Sequence, residues 1–224
     1  MSKTLFVTGA SRGIGREIAK QYLAIGWRVF ATCRNPADLA DLASHGALTV
    51  LTLDVTDWDA VATLASQLGG ARVDLLINNA GTYGGVMQGL GNTDVATWLA
   101  TLATNAIAPV KVVEALLASL AANAVIINIS SKMGSMSDNG SGGDYHYRSA
   151  KAALNAATVS MARDLAGRHC CVALHPGWVQ TDMGGAYALV DTASSVTGMR
   201  EVIAGLQAAD TGRFISFDGR SLPW

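Results

Sequence analysis

The chain has 224 residues, of which 50% are apolar and 15% charged, with a formal net charge of −1. That is enough apolar material for a sizeable core and too little charge for a disordered chain, and the near-neutral balance gives no electrostatic case for nucleic acid or an anionic membrane surface. Its 3 cysteines, Cys33, Cys170 and Cys171, make no disulfide framework and no zinc-site spacing, which suits a reducing, cytoplasmic setting.

The N-terminal "MSKTLFVTGA" enters a strand-like run at once and leaves no room for a signal peptide. Short apolar runs then recur: "TLFVTG", "RVFATC", "LTVLTLDV", "VDLLINNAG", "AVIINISS", "CVALHPG" and "RFISFDG". Most are apolar at nearly every position, as expected for parallel strands buried on both faces. Helical spacing fills the gaps between them. It begins near Gly15, at "PADLADLAS", at "DWDAVATLASQL", over the long "DVATWLATLATNAIAPVKVVEALLASLAA", over "YRSAKAALNAATVSMARDLAG" and over "SVTGMREVIAGLQ". Strand and helix alternate from end to end with no repeat or linker. The expectation is one α/β domain over residues 1–224, a doubly wound Rossmann-type parallel sheet of about seven strands with helices on both faces. Apolar stretches such as "NAVIINIS" are too short to span a bilayer. The irregular segment 183–195, "MGGAYALVDTASS", reads as a flap over a site.

Between the first strand and first helix lies "VTGASRGIGREIA", with Gly9, Gly13 and Gly15 spaced G-x-x-x-G-x-G. This differs from the G-x-G-x-x-G dinucleotide fingerprint but shares its physics: a tight turn, close backbone approach, and a helix N-terminus open to a pyrophosphate. Three glycines can also make a plain turn. After the second strand, where a dinucleotide fold places an acid for the ribose 2′-hydroxyl, the chain reads "FATCRNP", with Cys33 and Arg34. Arg12 in the glycine loop can approach the same spot. Two guanidiniums without a carboxylate suit a 2′-phosphate, so NADP(H) is favoured over NAD(H).

In "GGDYHYRSAKAAL", Tyr147 and Lys151 are four apart and share a helix face, whereas Tyr145 and Lys151 do not. A lysine one turn away can depress a phenol's pKa. An alanine-rich helix also carries this pair by chance. His146 has no Cys, Asp or His at ligand spacing, so no metal site is expected, and Tyr145 reads as a packing residue.

Taken together, "TGASRGIG", "NNAG" at 78–81, "NISS" at 128–131, Tyr147-x-x-x-Lys151 and "PGWVQT" at 176–181 follow the order seen in short-chain dehydrogenases/reductases, and the resemblance covers nearly the whole chain. The detail "GGDYHYRSAKAALNAAT…LHPGWVQTDMGG", with "FDGRSLPW", resembles the C-factor-like/sniffer-type carbonyl reductase branch. The resemblance implies that Tyr147 is the general acid in carbonyl reduction. Lys151 lowers its pKa and binds the nicotinamide ribose, and Ser131, matching better than Ser130, holds the substrate oxygen. Asn105 completes the set through a water to the lysine. For the cofactor it implies Gly9, Ser11, Arg12, Gly13, Ile14, Gly15 and Arg34. It adds Asp54 and Val55 at the adenine, Asn79, Ala80 and Gly81 on the adenosine-ribose side, and Pro176, Gly177, Val179 and Thr181 at the nicotinamide, besides Tyr147 and Lys151. "NNAG" also reads as a strand-stabilising segment and Asp54 as a turn acid. The segment between Ser131 and Tyr147 is longer than the common family pattern.

Three functions compete on these residues: an NADPH-dependent reductase of small apolar carbonyl compounds, a dinucleotide-binding signalling protein, and a dehydrogenase working oxidatively on a steroid or sugar alcohol. Tyr83, Met133, Trp178 and Met183 are candidate pocket residues by their place after strand ends. Pairing through the long helices predicts a homo-oligomer, a dimer or tetramer, acting on a small molecule.

Overall fold

The computed structural model describes residues 2–42 and 45–224. Seven strands form one parallel sheet in the order β3-β2-β1-β4-β5-β6-β7. They are β1 (Thr4–Val7), β2 (Arg28–Cys33), β3 (Leu48–Thr52), β4 (Val73–Asn78), β5 (Leu120–Ile129), β6 (Cys170–His175) and β7 (Phe214–Ser216). Each of the seven predicted runs supplies one strand. The central β1 is buried at every residue, and β6 at all but its last. That is why these runs lack alternation: both of their faces are covered.

The helices are α1 (Gly13–Ala24), α2 (Trp58–Ala62), α3 (Leu64–Gln67), α4 (Val95–Leu102), α5 (Ala108–Leu116), α6 (Tyr145–Asp164) and α7 (Thr192–Gly205). Leu5, Val7, Val29 and Ala31 pack with Ile18 of α1 and Val196 and Met199 of α7 on one face. Phe6, Phe30, Leu76 and Ile126 pack with Val61, Leu64, Val112, Leu116 and Met161 on the other. Asp57, Asp94 and Asp191 cap α2, α4 and α7 by accepting from the backbone N–H three residues on.

Three segments differ from expectation. "PADLADLAS" makes a tighter 3₁₀ turn over Pro36–Leu42, and its Ala43 and Ser44 lie outside the described residues. The long helix over residues 94–122 is instead α4, a widened π-type turn at Ala103–Ile107, α5 and a 3₁₀ turn, after which Leu120 opens β5. Pairing of Leu120 with Val73 overrides the helix propensity of "SLAA", and Asn123, at φ 58°, absorbs the shift of register before Val125 meets Leu75. The run Val95–Ser119 is long and apolar enough to cross a membrane. It is nevertheless part of the core, with Asn105, Val112, Val113 and Leu116 buried. In the flap, residues 192–195 belong to α7, and Val190 pairs with Val179, so the irregular part is shorter than predicted.

Strand order reverses between β1 and β4. At such a switch point the loops after the two strands diverge to opposite faces and leave a crevice beyond their C-terminal ends. The motifs of the sequence converge there.

Candidate active site

The glycine loop is locked against the end of β4. The Asn79 side-chain N–H group donates to the carbonyls of Thr8 and Gly9, and the Thr8 hydroxyl accepts from the backbone N–H of Asn79 and Ala80. A Cβ on Gly9, which sits at φ 67°, would come within 2.7 Å of the Ala80 Cα. One on Gly15 would come within 2.3 Å of both the Asn79 amide nitrogen and the Gly9 carbonyl. Asn79 is therefore a brace for the loop, its amide already spent on two carbonyls.

The open end of this brace is the N-terminus of α1. Arg12 is its N-cap, extended and without a side-chain cap, and no acid lies in the first turn. Uncapped N–H groups at the positive end of a helix are a phosphate site. Ser11 and Ile14 flank it, Ile14 packed into the core below. From the other side Thr181 leans in: a Cβ on Gly13 would stand 3.2 Å from its methyl. Thr181 accepts from the Gly184 N–H and donates to the Val179 carbonyl, while the Pro176 carbonyl takes the Ser195 hydroxyl. Gly177, at φ 89°, passes where a Cβ would stand 2.9 Å from the Phe217 ring.

The two predicted arginines lie where expected at the loop and at the end of β2, each beside an acid. Arg12 pairs with Asp182 at 3.3 Å on the surface. Arg34 stands near enough to Asp54 to help hold its carboxyl below the usual range, though the hydroxyl and N–H of Thr56 do more. Asp54 is thus a turn acid with one oxygen taken by Thr56. Val55 is buried in the core rather than turned to the crevice.

Beyond β5, the two serines separate. Ser130 turns inward, its hydroxyl donating to Asn155 at 2.6 Å, and Asn155 in turn donates to the Gly134 carbonyl. Ser131 faces the other way, its backbone still extended at φ −146° and ψ 145°, where successive side chains alternate. Its hydroxyl lies near enough to the Tyr147 phenol to lower the phenol's pKa, and accepts the Met133 N–H. Burial outweighs that contact and pushes Tyr147 up to about 12. Lys151, one turn on, reaches 5.8 Å from the Tyr147 ring centre and donates to the Ile129 carbonyl at 2.8 Å. Its own burial lowers it to about 8. Burial thus pushes both groups toward their neutral forms, and the Ser131 hydroxyl acts against it at the phenol.

Asn105 sits in the widened turn, fully buried, with its carbonyl accepting the Thr82 N–H and its amide donating to the Thr82 carbonyl. A Cβ on Gly81 would stand 3.2 Å from this amide oxygen and 3.8 Å from the Lys151 Nζ, so the three meet at one point. These two bonds use one N–H and one lone pair of the amide and leave one of each.

Sequence reasoning missed the loop after β4. Tyr83 lies against Tyr147, ring centres 4.9 Å apart, and donates to Asp144. Gln88, buried, bonds four backbone groups around the start of α6. Nothing in "GVMQGLGN" signals this. His146 is buried with Nδ1–H on the Gly84 carbonyl, against Trp98. Met133 lies on the outer side of α6 with Tyr145 and Arg148, while Trp178 and Met183 are half-exposed after β6. No cluster of metal-ligating side chains occurs among the described residues.

Known proteins share this arrangement. The family model for short chain dehydrogenase matches residues 3–189. The C-signal protein of Myxococcus xanthus is 45% identical over 155 residues, covering 68% of this chain and 93% of its own. The carbonyl reductase Sniffer of D. melanogaster superposes with a TM-score of 0.93 at 33% identity, with 100% of both chains covered. An NADPH-bound carbonyl reductase from chicken fatty liver gives 0.92 at 37%, covering 100% of this chain and 99% of its own.

Proposed function

Because the chain belongs to the short-chain dehydrogenase family, we propose that it is an NADPH-dependent reductase of small or medium apolar carbonyl compounds, aldehydes, ketones or quinones. The observation that carries this reading is the meeting of Ser131, Tyr147 and Lys151 beside an uncapped helix N-terminus at the sheet's switch point.

The residues present fit the dinucleotide. The first turn of α1 offers its N–H groups to the pyrophosphate, and the close packing of Gly9 and Gly15 lets the backbone approach it. Arg12 and Arg34 hold the 2′-phosphate as fork-shaped donors, which an acid at Cys33 would oppose. Ala80 and Gly81 line the adenosine-ribose side, and Pro176, Gly177, Val179 and Thr181 shape the nicotinamide end. When bound, the reduced nicotinamide supplies the hydride.

The protein's part is position and a proton. With its pKa raised, Tyr147 is a neutral phenol at pH 7 and can donate to the carbonyl oxygen as charge develops there. Ser131 is the second donor to the same oxygen. Lys151, 5.8 Å from the Tyr147 ring centre, would bond the nicotinamide ribose and help return the phenol's proton. The Asn105 amide keeps one N–H and one lone pair beyond its bonds to Thr82, which supports its holding a water that leads to Lys151. Exposed Val86, Met87 and Leu90 after β4, and Tyr187 and Leu189 after β6, support an apolar substrate. Buried free cysteines support a cytoplasmic setting. Exposed Val95, Leu99 and Ile107 on the α4–α5 run support pairing of subunits.

The test is NADPH consumption against aromatic aldehydes, quinones and α-dicarbonyls, with NADH and Tyr147→Phe in parallel. Turnover that requires NADPH and falls by about 10²-fold or more in the variant is expected. Equal rates in the variant would overturn the assignment of Tyr147. The similarity to C-signal supports a second reading, a dinucleotide-binding signalling protein, which tight NADPH binding without turnover on any carbonyl would favour.

A further inference from the structure

We propose that Gln88 is the positioning residue for Tyr147, holding the first turn of α6 from the loop after β4. The inference rests on the reductase reading for its kinetic consequence but not for its geometry.

A helix leaves its first four N–H groups without partners, and a preceding Asp normally supplies one. Here Asp144 does not. It sits in the left-handed region at φ 50°, makes no cap, and gives its carboxylate to the Tyr83 hydroxyl at 2.8 Å. The cap comes from a residue far away in the chain. The Tyr145 N–H donates to the Gln88 main-chain carbonyl at 3.0 Å, and the Tyr147 N–H donates to the Gln88 side-chain oxygen at 2.9 Å.

The other half of the amide is equally committed. Its nitrogen donates to the Tyr83 carbonyl at 2.8 Å and the Gly85 carbonyl at 2.7 Å. Gln88 is 3% exposed, so none of these groups has water as a substitute. The amide therefore fixes the height of the Tyr147 backbone and the fold of the loop whose Tyr83 lies on the Tyr147 ring. Val86 and Met87, 97% and 60% exposed, stand on that same loop beside the buried glutamine. What touches the loop from outside acts on the cap within.

Gln88→Met keeps the length and removes both halves of the amide. Gln88→Glu keeps the acceptor for the Tyr147 N–H and loses both N–H donors to Tyr83 and Gly85; protonated, as burial favours, its one O–H serves a single one of those carbonyls. For the Met variant we expect kcat to fall about tenfold, with the KM for NADPH within twofold of the parent, because the glycine loop is untouched. The alkaline limb of kcat should move to lower pH, since a loosened Tyr147 gains water and loses its proton earlier. The Glu variant keeps the acceptor for the Tyr147 N–H, so it should keep that amide protected from exchange even where kcat falls.

A spectrophotometric titration of the phenol and the exchange rate of the Tyr147 amide give the same reading without turnover: earlier ionisation and faster exchange in Gln88→Met, and little change of exchange in Gln88→Glu. Parental kcat, pH limb and amide exchange in a folded Met variant would overturn the proposal. If that variant does not fold, a folded Glu variant with an unprotected Tyr147 amide overturns it instead. If the parent reduces no carbonyl, the reductase reading fails, and the titration and exchange decide Gln88 alone.

Discussion

Arg12 and Asp182 form an ion pair at 3.3 Å that joins the glycine loop to the segment after β6. Both side chains are about three-quarters exposed, so the pair itself contributes little to stability, about 0–1 kcal/mol. Its weight lies in competition, because the guanidinium that meets Asp182 is the one assigned to the 2′-phosphate. Asp182→Asn frees it. NADPH should then bind up to about fivefold more tightly, with NADH affinity unchanged, as titration of cofactor fluorescence will show.

Ser131→Ala removes the hydroxyl that lowers the Tyr147 pKa, and the second donor to the developing alkoxide. The expected result is a loss of about 10²-fold in kcat, the scale of one oxyanion donor, with the NADPH dissociation constant unchanged. Ser130→Ala acts differently, since that hydroxyl is bonded to Asn155 behind the strand. It should lower the melting temperature more than the rate.

Lys151 carries a stability cost. Burial lowers it to about 8 from 10.5, so the unfolded chain binds more protons between those values and stability rises with pH across that window. Below pH 8 the full penalty stands, on the order of 3 kcal/mol before the lost bond to the Ile129 carbonyl is set against it. Lys151→Met should therefore raise the melting temperature at pH 7 by a few degrees while abolishing turnover. The gain should vanish near pH 10.5, which calorimetry at the two pH values will check.

His175 closes β6 with Nδ1 accepting the Lys132 N–H, and burial, with help from the Lys132 charge, lowers it to about 4. Between pH 6.5 and 4 the unfolded chain takes up a proton that the folded one refuses, so stability falls as pH drops through that range. His175→Asn keeps an acceptor and removes the titration. The acid-side loss should shrink by on the order of 2–3 kcal/mol, measured by urea unfolding at pH 7 and pH 4.5.

The fold was legible because each strand is a contiguous apolar run and each crossover has its own helical period. The glycine loop and the Tyr147–Lys151 pair were legible for the same reason: their geometry is local, within one turn or one helix face. What escaped is non-local. Gln88 reaches a helix 59 positions away through a loop with no period, and only the folded chain brings its amide to Tyr147. The relative burial of Tyr147 and Lys151, which decides the direction of both pKa values, is likewise a property of packing that spacing does not carry. The end of the long helix was misplaced because alanine-rich "SLAA" favours a helix, while its partner Val73 lies in a distant strand.

The main-chain oxygen of Trp224 is held by the hydroxyls of Ser135 and Ser137, 89 and 87 positions upstream, while its indole stacks on Phe214 of the last strand. The loop that follows Ser131 is thus fastened from the far end of the sheet. During synthesis on the ribosome, the glycine loop and the brace at Asn79 can settle as soon as β4 emerges, but this loop waits for residue 224. Cofactor binding should therefore be acquired before turnover as the nascent chain lengthens.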